Sequence, residues 1–209
     1  SIGQREIDYV HEAVESGWVS SLGSYIDSFE EKFAEYCGSK YAVTTSNGTT
    51  AIHLALVSLG IGQGDEVIIP DLTFIATANA VKYTGAKVVT VDICPDTLCI
   101  DPEAICNAIT KNTKAIMPVH LYGHPASMIE INKIAKNHNL FVIEDAAEAH
   151  GAEINKTKVG TFGDAGVFSF YGNKVITTGE GGAITTNDKN LFDRLKYLRD
   201  HAMNAHKRY

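Results

Sequence analysis

The chain has 209 residues, 44% of them hydrophobic and 21% charged, enough apolar material for one substantial core and too much for a disordered segment. Its formal net charge of -7 argues against nucleic acid as a partner, because phosphate backbones are held by an excess of Lys and Arg. No apolar run reaches the length of a membrane span, and Ser1-Ile2-Gly3-Gln4-Arg5 lacks a signal-peptide core. The opening Ser1, with no initiator methionine, suggests a trimmed or partial chain.

Helical and strand-like segments alternate along the sequence. Ser28-Phe29-Glu30-Glu31 has the pattern of a capping box, which predicts a helix starting there and stopping near Gly38. Tyr41-Ala42-Val43 is an apolar stretch, and Ser46-Asn47-Gly48-Thr49-Thr50 follows it and opens an amphipathic helix that runs to Gly60. Glu66–Pro70 reads as a short buried strand, Ala76–Tyr83 as a helix ending before Gly85, and Lys87–Asp92 as the next strand. Asp101 caps a helix with Pro102 at its first position. Lys114–Val119 is a strand, Ser127–Asn137 a helix, and Leu140–Ile143 a strand that runs out onto Glu144 and Asp145. Ala165–Phe170 and Ala183–Thr186 are strand-like, and the last helix, near Asn190–His201, carries Leu191, Phe192, Leu195 and Leu198 on one face. Short apolar strands alternating with helices predict an α/β fold, one domain with a mostly parallel sheet covered on both faces.

Two potential metal or redox signals fail. Cys37, Cys94, Cys99 and Cys106 have no C-x-x-C spacing and are expected to stay reduced, as in cytosol. His120 and His124 are four apart, but Gly123 and Pro125 make that segment a loop, and no H-E-x-x-H occurs.

Three segments carry chemistry. Lys174 closes a strand-to-loop stretch, Phe168-Ser169-Phe170-Tyr171-Gly172-Asn173-Lys174, and is followed by Gly179-Glu180-Gly181-Gly182. Asp145 stands at the exit of a buried strand. A lysine and an aspartate placed in this way suit pyridoxal phosphate: the amine joins the cofactor aldehyde, and the carboxylate keeps the pyridine nitrogen protonated so that the ring accepts electrons. Taken singly, each has a plainer reading, a solvated surface lysine and a turn-forming aspartate. The third segment, Ser46–Thr50, offers amides and hydroxyls at a helix N-terminus, an anion site in which Gly48 permits close approach; a simple helix cap is compatible with that role.

Together, Ser46-Asn47-Gly48-Thr49-Thr50-Ala51, Glu144-Asp145-Ala146-Ala147-Glu148-Ala149-His150-Gly151, Phe168–Lys174 and Gly179–Gly182 resemble the DegT/DnrJ/EryC1/StrS sugar-nucleotide aminotransferases, within the fold-type I pyridoxal phosphate enzymes. The resemblance runs from about Trp18 to the last residue. Val119–Pro125 and Leu198–Met203 look most like the perosamine synthases of that family, which aminate a GDP-linked 4-keto-6-deoxy sugar. The resemblance implies the aspartate aminotransferase-like large domain over residues 1–209, with the family's smaller C-terminal domain absent after Lys207-Arg208-Tyr209. It implies Lys174 as the cofactor-bearing lysine and proton shuttle, Asp145 opposite the pyridine nitrogen, and Glu148 near the cofactor phenol oxygen, where many relatives have glutamine. Gly48, Thr49 and Ser169 would hold the phosphate. Phe74 would lie against the ring face or pack in the core, and His120 and Tyr122 would approach the site or simply pack. The implied partners are a nucleotide-linked keto sugar and glutamate, with no nucleic acid and no membrane, in a cytoplasmic homodimer with shared active sites. A deoxysugar dehydratase and a non-catalytic cofactor-binding module are the alternatives; a dehydratase branch resembling this family replaces the lysine by histidine. A nicotinamide dehydrogenase has no support, since no strand is followed by G-x-G-x-x-G.

Overall fold

The computed structural model describes residues 2–20 and 22–203; Ser1, Ser21 and residues 204–209, Lys207, Arg208 and Tyr209 among them, lie outside the described residues. Seven strands form one sheet in the order β1 (Tyr41–Thr45), β9 (Gly182–Thr186), β8 (Ala165–Ser169), β5 (Phe141–Asp145), β4 (Thr113–Ile116), β2 (Glu66–Pro70) and β3 (Lys87–Val91). The pairs β2/β3, β2/β4, β4/β5 and β5/β8 are parallel. Only β9 runs against its neighbours, pairing antiparallel with β1 and β8. It therefore starts at the end of the sheet where β1 and β8 finish, with Gly182 opposite both Thr45 and Ser169. A small hairpin, β6 (Glu153–Ile154) and β7 (Thr157–Lys158), stands apart.

Side-chain alternation along the strands divides the core into layers. Val43, Ile143, Val167 and Ile184 pack on one face under α3 (Gly48–Ser58), α4 (Ile75–Tyr83) and α7 (Lys189–Arg199). Their neighbours Val142 and Ile116 pack on the other face with α6 (Met128–His138) and α5 (Pro102–Ala108). Ala42, Phe168 and Ala183 meet α2 (Ser24–Cys37) on that same side, where Phe33 contacts Phe168 edge-on at 5.0 Å between ring centres. Strands buried on both faces read as continuous apolar runs, which is why they were legible in the sequence.

The structure corrects two boundaries and adds a helix and a hairpin. The helix expected at Ser28 begins at Ser24 after Gly23, so Ser28 lies inside it and the capping-box reading fails. Glu30 does not reach back to a cap. It is buried and accepts from the Thr44 N–H (2.8 Å), Lys196 Nζ (2.8 Å) and Arg199 Nη1. Burial pushes its carboxyl up, but Lys196, the Thr44 amide and Arg199 outweigh that and hold it below the usual range. Its stabilising share is thus present above the ordinary carboxylate range and is lost on acidification. Strand β4 stops at Ile116, earlier than the expected Val119, because Pro118 has no N–H to give; Val119 makes only an isolated bridge to Asp145. Helix α1 (Gln4–Glu15) was not anticipated and has no buried residue. The β6–β7 hairpin turns through Asn155 and Lys156, both with positive φ.

The cysteines are free, as expected. Burial pushes the Cys37 thiol up to about 12, whereas Cys106 is exposed. Iodoacetamide at pH 8 is predicted to alkylate Cys106 in the native protein and to reach Cys37 only after denaturation; peptide mass mapping that found both labelled at equal rates would contradict this burial.

Candidate active site

The functional residues gather where open α/β sheets bind ligands, outside the carboxyl ends of the parallel strands. A cavity of about 590 Å³ there is lined by the seven residues given cofactor or catalytic roles from the sequence: Gly48, Thr49, Phe74, Asp145, Glu148, Ser169 and Lys174. They come from the ends of β1, β2, β5 and β8, which the sheet order brings together across 126 residues of chain, from Gly48 to Lys174.

Asp145 is the last residue of β5 and is 6% exposed. Its N–H donates to the Pro118 carbonyl at 2.9 Å and its carbonyl accepts from the His120 N–H at 3.0 Å, so neighbouring backbone fixes it on both sides. One carboxylate oxygen accepts from Thr77 Oγ1 (2.8 Å), the other from the Ala147 N–H (3.2 Å). Thr77 Oγ1 lies 2.8 Å from Thr73 Oγ1; because Thr77 gives its proton to Asp145, Thr73 donates to Thr77. Burial raises the Asp145 pKa despite these donors and the nearby Lys174 charge. A carboxyl in this condition favours the approach of a cation that would restore its charged form.

One end of the cavity is built by the N-terminus of α3. Asn47 caps it, accepting from the Thr50 N–H at 2.9 Å. The first-turn N–H groups of Gly48 and Thr49 have no intrahelical acceptor and point off the helix end. Gly48 is required sterically: a Cβ there would come 2.9 Å from the Ser169 Cβ and 3.3 Å from its Oγ. The glycine thus lets the helix N-terminus close on the buried Ser169 and leaves amides and a hydroxyl facing one space.

Lys174 sits in the loop between β8 and β9, held by a turn bond from its N–H to the Tyr171 carbonyl at 2.9 Å. Its Nζ lies 3.2 Å from Glu148 Oε1 with the side chain 16% exposed. The other oxygen of Glu148 accepts from the Tyr122 N–H at 3.0 Å. Phe74 is the N-cap residue of α4 and is 70% exposed beside the cavity, so the core-packing reading of Phe74 fails. His120 is fully buried and does not line the cavity. Its Nδ1 accepts from the Ala126 N–H (3.0 Å), so Nε2 carries the proton and donates to Glu144 Oε2 (3.1 Å). Glu144, one residue before Asp145, also accepts from the N–H groups of Gly160, Phe162 and Gly163 at 2.7, 2.7 and 2.8 Å. His120 and Glu144 therefore tie loops to β5.

The sequence reading missed Thr73 and Thr77, whose four-residue spacing into α4 was the available signal. It also passed over Tyr171, Asn173 and Glu180, which line the cavity. Among the described residues no group of His, Cys, Asp and Glu could hold a metal ion.

A buried carboxyl, an amine and an anion-binding helix end around one cavity define a site suited to a phosphorylated aldehyde cofactor with a basic ring nitrogen. Comparison with known proteins places this site in a family. Residues 1–209 match the model of the DegT/DnrJ/EryC1/StrS aminotransferase family, and the chain belongs to that family. It is 53% identical over 209 residues to the GDP-perosamine synthase of Escherichia coli O157:H7, covering 100% of this chain and 57% of that protein. Among solved structures, an aminotransferase from Psychrobacter cryohalolentis superposes with a TM-score of 0.96 at 42% identity, covering 100% of this chain and 53% of that one. An E. coli GDP-4-keto-6-deoxy-D-mannose-3-dehydratase with bound hydrated PLP superposes at 0.93 with 35% identity, covering 99% and 55%. The chain spans about half the length of these relatives. Pyridoxal 5'-phosphate is the cofactor of the family, and the donor set described above fits it.

Proposed function

We propose that this chain forms the cofactor-binding large domain, residues 1–209, of a pyridoxal phosphate-dependent aminotransferase that converts a nucleotide-linked 4-keto-6-deoxy sugar to its 4-amino sugar, with glutamate as amino donor. The observation that carries the proposal is the meeting of Asp145, Lys174 and the Gly48–Ser169 cradle at one cavity. Bound pyridoxal phosphate supplies the electron sink through which nitrogen passes from donor to sugar. The residues do the rest. The α3 amides, Thr49 and Ser169 would hold the phosphate, Asp145 would pair with the ring nitrogen, and Phe74 would lie against the ring. Lys174 would carry the cofactor, and its free amine would move a proton at the reacting carbon. Glu148, 3.2 Å from the Lys174 amine, would hold that amine in place within the cavity.

The 53% identity to a GDP-perosamine synthase favours this substrate class. Amination is preferred over dehydration because an amine stands at the position of attachment. Three carboxylates, Asp145, Glu148 and Glu180, line the cavity with Lys174 as the sole cation among the described lining residues. The diphosphate of the sugar nucleotide and the carboxylates of glutamate need further positive charge, which supports a homodimer whose sites are completed by a second subunit. No described helix is long and apolar enough to cross a membrane, and we place the enzyme in the cytoplasm.

Full-length protein given cofactor, glutamate and a panel of GDP- and dTDP-linked 4-keto-6-deoxy sugars should yield a product with nitrogen in place of the keto oxygen. A product that has lost a hydroxyl with no nitrogen gained would favour the dehydratase; no product from any sugar would refute the proposal. Gly48→Ala is predicted to weaken cofactor binding about tenfold, since overpacking against Ser169 costs roughly 1–3 kcal/mol. Titration of cofactor fluorescence checks this, and unchanged affinity would remove Gly48 from the cradle.

A further inference from the structure

The segment from His120 to Ala126 is pinned almost throughout. His120 is fully buried and bonded at both ring nitrogens, Leu121 is 7% exposed and Ala126 is 1% exposed. The His124 N–H closes a turn on the Leu121 carbonyl at 3.0 Å. Within this frame Tyr122 and His124 are the exposed residues, and of the two Tyr122, 78% exposed, lines the cavity. Its backbone is left-handed, with φ 53 and ψ 25, a region that disfavours any residue with a Cβ. A glycine would adopt it freely. The chain therefore holds an aromatic side chain beside the cavity at a conformational cost that a glycine would not incur.

The position gives the ring a use. The Tyr122 N–H donates to one oxygen of Glu148 at 3.0 Å, and the other oxygen of the same carboxylate lies 3.2 Å from Lys174 Nζ. A single carboxylate thus fixes the spacing between the Tyr122 backbone and the amine that acts on substrate. A ring carried by that backbone and lining the same cavity as Lys174 is suited to meet the part of the substrate being transformed rather than the distant end of a nucleotide. A hexose presents a face of C–H groups, which pack on aromatic faces, while the phenol O–H stays free for a sugar hydroxyl.

We propose that Tyr122 is a specificity-determining residue that stacks on the hexose ring of the nucleotide sugar and sets which face of its keto carbon meets Lys174. This rests on the aminotransferase reading and deepens it by assigning the sugar subsite. The strained backbone separates a binding role from a structural one. Tyr122→Gly removes the ring and also relieves the left-handed strain, so its melting temperature should equal or exceed that of the parent. Its KM for the nucleotide sugar should nevertheless rise roughly tenfold or more, and Tyr122→Phe should restore most of the loss. Isothermal calorimetry of the cofactor-loaded full-length protein with the nucleotide sugar should show the same order of affinities: parent, then Phe, then Gly. Equal KM and equal affinity in parent and Tyr122→Gly would overturn the assignment, as would a Phe variant no better than Gly. If the parent binds the sugar nucleotide but does not aminate it, the aminotransferase reading fails, and the calorimetric order still decides whether Tyr122 holds the sugar.

Discussion

Lys174→Ala is expected to reduce turnover by at least about 10³-fold, the upper part of the range that a positioned acid–base group supplies, and to leave cofactor bound without a covalent link. The side chain has two tasks in the proposed reaction, attachment and proton movement, and no second amine lines the cavity among the described residues. Stability should change little, because the lysine lies in a loop and its one ion pair, with Glu148, is partly exposed. Steady-state assays and thermal melts on the same preparation separate the two effects. Turnover within tenfold of the parent would show that the proton is moved by another group.

Asp145→Asn is the second large effect. The carboxylate facing a ring cation makes a charge-assisted hydrogen bond worth about 1.5–3 kcal/mol. The neutral amide should therefore weaken cofactor binding by roughly tenfold to a hundredfold, with a further loss of turnover because an unprotonated ring is a poor electron sink. The apo protein should respond in the opposite sense. Burial raises the Asp145 pKa, so the charged form is disfavoured in the fold. Its contribution to stability is present below the ordinary aspartate range and is lost as pH rises through the raised value. Without cofactor, the stability of the parent relative to Asp145→Asn should accordingly fall as pH increases from 4 toward neutrality. Melting curves across that range check the sign; a parent that gains relative stability with pH would show that Asp145 is ionised without difficulty.

The features legible in the sequence were those carried by short stretches. The strands of the sheet announce themselves because residues such as Ile143, Val167 and Ile184 are buried together with their neighbours on the opposite face. Asp101 and Pro102 mark a helix start within two adjacent residues, and the structure places the cap there, with the Asp101 carboxylate accepting from the Glu103 N–H at 2.9 Å. Asp145 was found because it ends a recognisable strand, and Lys174 because it lies in the loop that leaves one. What could not be read depends on partners far along the chain. Thr77 acquires its role from Asp145, 68 residues away, and Glu30 loses its local cap to Arg199, 169 residues away. Tyr122 was left between approaching the site and simply packing, because loop tyrosines do both; its left-handed backbone and its exposure beside the cavity are visible only in the fold. Helix α1 has no buried residue, yet Ile7, Val10 and Val14 recur at helical spacing, so its signal was present in the sequence and went unread.

The most direct test of the account is chemical. Full-length protein saturated with pyridoxal 5'-phosphate, reduced with borohydride and digested, should yield one peptide bearing a pyridoxyl group, attached to Lys174. A label on any other lysine, or no covalent label from protein that has demonstrably bound the cofactor, would contradict the assignment on which the proposed reaction rests.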